Sequence, residues 1–118
     1  MKGDCEATTF EEAFSKNSYR LEFERGEAAS LREAMLKDGE NPGSIDPVFW
    51  EGCQAANKAC WEIWLARGEK SAEELAAEIR TIQAPDGKPK EFLSGHHEFV
   101  QHWAEAVEQD EPRTIVYW

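Results

Sequence analysis

The sequence has no long hydrophobic run, and this absence narrows the classes of protein to which it can belong. No apolar stretch approaches the ~20 residues that a membrane-spanning helix needs. The first six residues, Met1 to Glu6, also lack the apolar core of a signal peptide. We therefore expect one domain over residues 1–118, located in the cytoplasm and without a membrane partner.

Motifs of the common catalytic sites are missing too. The 8 glycines are scattered, so no glycine-rich loop precedes a helix to hold a phosphate group, and no Gly-x-Ser-x-Gly nucleophile motif occurs. Among the 3 cysteines there is no short pair, and none has a basic neighbourhood that would activate its thiol. Cys53 and Cys60 are separated by about 10 Å of helix rise, too far for a disulfide, and are interpreted as small core residues. These observations predict a protein that is not an enzyme and carries no cofactor.

The histidines come close to a metal motif without matching it. His96, His97 and His102 lie in one short segment that resembles His-Glu-x-x-His, the pattern of zinc proteases. His97 and His102 are five residues apart, however, so they point about 140° apart around a helix and cannot share one metal ion. A metal would need a further ligand such as Cys5 or an acid, and a small metal-dependent enzyme stays an alternative hypothesis.

Basic residues are scarce. Lys and Arg number 13 against 24 Asp and Glu, which gives a net charge of −11. Such a field repels nucleic acid and anionic membranes and attracts basic protein surfaces. We therefore expect a basic host protein or nucleoprotein complex as partner, with no direct contact to nucleic acid. The candidate acidic face comprises Glu11, Glu12, Glu22, Glu24, Glu73, Glu74, Glu78, Glu105, Glu108 and Asp110.

One stretch, residues 46–68, carries the clearest helix signals at both ends. Asp46 suits the N-cap and Pro47 the first helical position, while Gly68 suits the left-handed residue that ends a helix. Its apolar residues share one broad arc at about 100° per residue. That arc comprises Phe49, Trp50, Cys53, Ala56, Cys60, Trp61, Ile63 and Trp64. The rest of the chain is predicted to pack on this face. Asn57 lies within the arc, and we interpret it as a structural polar group, with a partner contact as the alternative.

The remaining pattern predicts a mainly α fold of four or five helices around this tryptophan-rich helix. The other helices are expected to start at Thr9 and Ser71, where capping boxes occur, at Glu27, and near Ser94. Gly26 is expected to end the first helix, and Leu31, Ala34, Met35 and Ala28 to form the buried side of residues 27–37. Residues 18–24 fit either a helix or a strand, and they could form a minor strand pair with residues 113–118.

Aromatic residues supply the second kind of candidate contact. Trp50, Tyr117 and Trp118 are candidate anchors, since Tyr and Trp are enriched at the centres of protein interfaces. The terminal pair either folds back as a strand or docks on another chain. A homodimer joined through exposed aromatic residues is therefore a second functional hypothesis.

The segments Phe49-Trp50 and Cys60-Trp-Glu-Ile-Trp-Leu-Ala-Arg67 resemble small accessory proteins of bacteriophages and prophages, many of which have a helix of the type Ala-Trp-Glu-x-Trp-x-Ala. The resemblance covers about residues 46–68, and a weaker similarity is found from Phe10 to Phe14. Cys60 stands where alanine is usual in these proteins. It implies a phage origin and a location in the host-cell cytoplasm, and it supplies no catalytic residues, because these accessory proteins share no established activity. Together with the charge, it gives the leading hypothesis: an acidic inhibitor that occupies the nucleic-acid-binding surface of a host protein, such as a defence complex.

Overall fold

The computed structural model describes residues 9–43 and 45–115 of the chain, and within these ranges the fold is helical, without strands. The prediction of a mainly α domain is therefore confirmed. The elements are α1 (Phe10–Lys37), α2 (Pro47–Leu65), α3 (Ala72–Arg80), α4 (Lys90–Gln109) and a 3-10 turn (Pro112–Ile115). That turn occupies the start of the segment for which a strand over residues 113–118 was the alternative, while Tyr117 and Trp118 lie outside the described residues, as does Cys5.

Helix α1 runs without interruption through 28 residues, so Gly26 does not end it and residues 18–24 are not a strand. One glycine in a helix costs only about 1 kcal/mol. Two ion pairs just before Gly26, Arg20 with Glu24 and Arg25 with Glu22, support the helical form up to this glycine. The helix begins where it was expected, because Thr9 Oγ1 accepts a hydrogen bond of 3.1 Å from the Glu12 amide.

The outer part of α1, residues 27–37, is much less buried than the sequence pattern predicts. Of the expected buried side only Ala28 is in the interior, whereas Leu31 is 50% exposed and Leu36, on the next turn, is 56% exposed. The chain reverses after Lys37 and enters α2 by an irregular segment, so these last turns extend past the main core. A side-chain bond of 2.7 Å, from Arg32 Nη1 to the Ile45 carbonyl, ties them to that segment.

Helices α2 and α3 begin at the predicted caps. Asp46 Oδ1 accepts a hydrogen bond of 2.9 Å from the Val48 amide, and Gly68 adopts a left-handed conformation with φ of 57°. Ser71 and Glu74 form the complete capping box, with two reciprocal bonds of 3.1 Å.

Helix α4 begins one turn earlier than expected, at Lys90 rather than near Ser94. The extra turn places Phe92 in the interior, where it is 6% exposed. The helix ends at Gln109, followed by Asp110 in the left-handed conformation with φ of 56°. Because Arg80 at the end of α3 pairs with Glu108 in the last turn of α4, the intervening connection must travel back along most of α4.

The largest fully buried side chain of the core is Trp103 of α4, not a tryptophan of α2. Trp50, Trp61 and Trp64 are only partly buried and pack at the edge of the core. The expectation that their whole arc would be interior is thus wrong. The physical reason is that α2 meets α4 through small residues, which leave the bulky indoles at the sides of the contact. The fully buried residues of α2 are Gly52, Cys53, Ala56, Asn57 and Cys60.

Two glycines set the separation of α2 and α4. A Cβ atom on Gly52 would overlap the Phe92 carbonyl, and a Cβ atom on Gly95 would overlap the Phe49 carbonyl. The backbones therefore touch at this crossing. Cys53 Sγ also lies 3.5 Å from the Gly95 carbonyl oxygen, as a weak hydrogen-bond donor. The contact requires glycine at both positions because no side chain fits between the helices.

Candidate interaction surfaces

Asn57 is a structural residue of the core. It is 2% exposed, and its Oδ1 accepts a hydrogen bond of 3.0 Å from Trp103 Nε1. Its Nδ2 donates to the Phe14 carbonyl at 3.4 Å and to Ser18 Oγ at 3.3 Å. One amide thus connects α1, α2 and α4, which satisfies its polar atoms without solvent. The structural interpretation is confirmed, and the partner-contact alternative is wrong.

The histidines differ in their environments. His96 is buried beside Phe92, with ring centroids 6.2 Å apart, and burial lowers the pKa of its imidazole, followed by the effect of nearby His97. His97 and His102 are exposed, and His102 Nε2 lies 4.0 Å from Glu98 Oε1. Among residues 9–43 and 45–115, no three His, Cys, Asp or Glu side chains approach closely enough to hold a metal ion.

The two described cysteines are poor nucleophiles. Both are buried, and burial raises the pKa of Cys53 to about 12 and raises that of Cys60 still further above its ordinary value. A thiol is reactive as its thiolate, and these pKa values keep both groups protonated at neutral pH. Their position between α2 and its neighbours agrees with the interpretation as small core residues.

More than half of the predicted acidic residues have structural partners within the protein. Glu22 and Glu24 pair with arginines of α1, Glu78 pairs with Lys70 at 2.9 Å, and Glu108 pairs with Arg80 at 3.2 Å. Glu12 Oε1 accepts a hydrogen bond of 3.3 Å from Thr9 Oγ1. Glu74 caps α3, and its hydrogen bonds from Ser71 lower the pKa of its carboxyl. The remaining predicted acids are Glu11, Glu73, Glu105 and Asp110.

A regular row of acids on α4 was not recognised from the sequence. Glu91, Glu98 and Glu105 are each seven residues apart, so they recur on one side of the helix, and all three are exposed. We call these three residues the α4 stripe. Glu98 and Glu105 also line one shallow surface depression with His97 and His102. The seven-residue spacing was the signal that could have revealed it.

The partly buried tryptophans of α2 form a stack with their neighbours. The ring centroids of Phe14 and Trp61 are 4.9 Å apart, and those of Trp61 and Trp64 are 5.4 Å apart, with nearly parallel planes. The Arg67 guanidinium lies 3.4 Å from the Trp64 ring centre, which closes the end of the stack. These rings stabilise the packing of α1 against α2.

Trp50 lies in an open groove between the outer part of α1 and the first turn of α2. The groove has a volume of about 480 Å³. Its apolar lining is formed by Ala28, Leu31, Ile45, Phe49 and Trp50, and its polar lining by Glu24, Glu27 and Asp46. We call this the α1–α2 groove. It combines an apolar floor with carboxylates and has no basic side chain in its wall.

Comparisons of the chain with protein-family models, with curated proteins and with solved structures gave no match. In the part of the chain that the structure describes, no helix is both long and apolar enough to span a membrane.

Proposed function

We propose that this protein is an acidic binding protein of bacteriophage type that inhibits a host protein by occupying a basic surface, one that otherwise binds nucleic acid. The observation that carries the proposal is the α4 stripe, three exposed carboxylates on a helix that contains Lys90 and three histidines but no other Lys and no Arg. The net charge of −11 adds long-range attraction to a basic partner. The phage origin rests on the resemblance of the tryptophan-containing helix alone.

The location of the stripe favours binding over a purely structural role. Glu98 meets only the side chain of His102, at 4.0 Å, and none of the three glutamates forms an ion pair with Lys or Arg among the described residues. Ion pairing within a protein would reduce the charge available to a partner, as happens at Glu78 and Glu108. The stripe keeps its charge and presents it along one side of a long, rigid helix.

The test is a triple charge reversal, Glu91→Lys, Glu98→Lys and Glu105→Lys, measured against a partner isolated by pull-down from a candidate host. Exposed charge pairs contribute at most about 1 kcal/mol each, so we expect the affinity to fall by roughly 100-fold. The affinity of the unaltered protein should also decrease as salt is raised, and nucleic acid should compete for the partner.

The matched control reverses three other exposed acids, Glu33, Glu40 and Glu69. Both triple variants change the net charge equally, so the control separates the effect of the stripe from that of overall charge. An equal loss of affinity in the two variants would contradict a role for the stripe. An affinity that does not change with salt would contradict the whole charge-based proposal. A reversal of Glu73, Glu74 and Glu78 would be less informative, because Glu74 caps α3 and Glu78 pairs with Lys70.

A further inference from the structure

We propose that the α1–α2 groove is a second contact site, which binds a linear segment of the partner in which an apolar side chain is flanked by Lys or Arg. This inference rests on the proposed function, since it names the kind of segment that the partner presents. It rests on a different surface, however, because the α4 stripe does not line the groove.

The groove has the volume and the exposed apolar surface of a binding site. Its volume of 480 Å³ falls in the range of about 300–1,000 Å³ that ligand-binding clefts occupy. Leu31 stands at its edge with 50% of its surface exposed. Tyr19, Phe23 and Leu36 of the same helix are exposed as well, but they do not line the groove, where Leu31 lies beside other apolar side chains. Water contact over such a surface is unfavourable, and an apolar side chain of a partner would relieve it.

The charge of the groove favours a basic occupant. Glu24, Glu27 and Asp46 line the groove beside its apolar floor, with no Lys or Arg among the lining residues. Glu24 pairs with Arg20 and Asp46 caps α2, but Glu27 forms no ion pair within the described part of the chain. A segment with a basic residue beside its apolar side chain would satisfy this carboxylate, whereas an acidic segment would be repelled.

The same charge argument disfavours a second copy of this chain as the occupant. Each copy carries a net charge of −11, so two copies repel one another before any apolar surface is buried. The negative electrostatic field of the protein attracts a basic segment, whereas it repels a second copy. The occupant is therefore assigned to a partner and not to a homodimer.

The experiment is a selection of short peptides from a random display library on the unaltered protein, followed by binding measurements with the synthetic winners. We expect the winners to share a large apolar residue next to Lys or Arg. Leu31→Arg should weaken their binding by at least about tenfold, because it places a positive charge where the apolar anchor sits. Glu27→Lys should weaken it as well. Since Leu31 and Glu27 are exposed, both variants should fold, which a thermal melt will verify.

The chain offers closely matched controls. Leu36→Arg changes a leucine of similar exposure on the same helix but outside the groove, and Glu33→Lys does the same for an exposed glutamate. Both should leave peptide binding within about twofold, the range expected for surface substitutions away from a contact. The inference would be overturned by a selection without enrichment, by winners that lack basic residues, or by winners that bind Leu31→Arg as tightly as the unaltered protein.

Two further results separate this inference from its alternatives. A dimer of the unaltered protein in sedimentation, lost in Leu31→Arg, would identify a second copy as the occupant and overturn the inference. If the α4 reversal weakens the pulled-down partner but Leu31→Arg does not, the groove site is wrong and the proposed function stands. If the selected peptides bind the groove but the α4 reversal has no effect on the partner, the groove stands and the proposed role of the stripe fails.

Discussion

Replacing Gly95 by alanine is expected to lower the free energy of unfolding by about 3 kcal/mol or more, a value at the upper end of overpacking effects. The added Cβ would overlap the Phe49 carbonyl and approach Cys53 Sγ to 3.2 Å. Backbone atoms cannot rotate away as a side chain can, so the two helices must separate along the most extensive helix–helix contact of the described structure. Since domains of this size are only marginally stable, such a loss is a large share of the total. Urea denaturation followed by circular dichroism measures it.

The control is Gly26→Ala. Gly26 lies within α1, where an added Cβ meets nothing within 4 Å, so alanine there should stabilise the protein by about 0.5–1 kcal/mol through better helix propensity. The same chemical change should therefore have opposite signs at the two glycines. A Gly95→Ala variant as stable as the unaltered protein would show that α2 and α4 do not touch at this point.

Asn57→Ala is expected to lower the free energy of unfolding by about 3 kcal/mol, for a different reason. The substitution removes the acceptor of the buried Trp103 indole N–H, whereas the Phe14 carbonyl, which Asn57 also contacts, keeps its hydrogen bond within α1. Each buried polar group left without a partner costs about 1–3 kcal/mol, and the small cavity adds to this. The loss should appear as a shift of the urea midpoint at unchanged slope.

A double-mutant cycle assigns the effect to the hydrogen bond. In a Trp103→Phe background the indole donor is absent, so Asn57→Ala should cost clearly less than in the unaltered protein. Gln54→Ala is a suitable control on the same helix, because Gln54 makes only an exposed contact of 3.5 Å with Glu22, and it should change stability by less than about 0.5 kcal/mol. Strictly additive losses at positions 57 and 103 would show that the two side chains do not interact.

Local signals predicted the helix starts because caps involve neighbouring residues. Thr9, Asp46 and Ser71 all form the expected hydrogen bonds. The errors concern features that depend on distant parts of the chain. Gly26 resembles a helix end when viewed alone, but the ion pairs before it and the buried residues on both sides, Leu21 and Ala28, outweigh its low propensity.

The burial of apolar residues was also harder to predict. Helical periodicity identifies which residues share a face, but it does not say how far a neighbouring helix extends. The outer turns of α1 have an apolar side, yet Leu31 remains half exposed because these turns extend past the main core. On α2, the periodicity placed the tryptophans and the small residues on the same predicted face, although only the small residues are buried against α4.

The same difference between local signals and contacts of distant residues applies to the candidate surfaces. The α4 stripe could have been found from its seven-residue spacing, which is a local signal. The α1–α2 groove could not, because it brings Leu31 together with Phe49 and Trp50 across an irregular segment. The structural role of Asn57 was correctly interpreted from its place on an apolar arc, but its partners Ser18 and Trp103 come from other helices.

The partial exposure of the last turns of α1 has a consequence for the motions of the protein. Local openings are easiest where few side chains are buried, so amide hydrogen exchange should be slow around Leu21 and become progressively faster toward Lys37. The hydrogen bond from Arg32 to the Ile45 carbonyl restrains these turns and must break if they move away from the segment before α2. Because these turns form one wall of the α1–α2 groove, we expect the width of the groove to fluctuate, and an occupant to slow amide exchange well beyond the residues it touches.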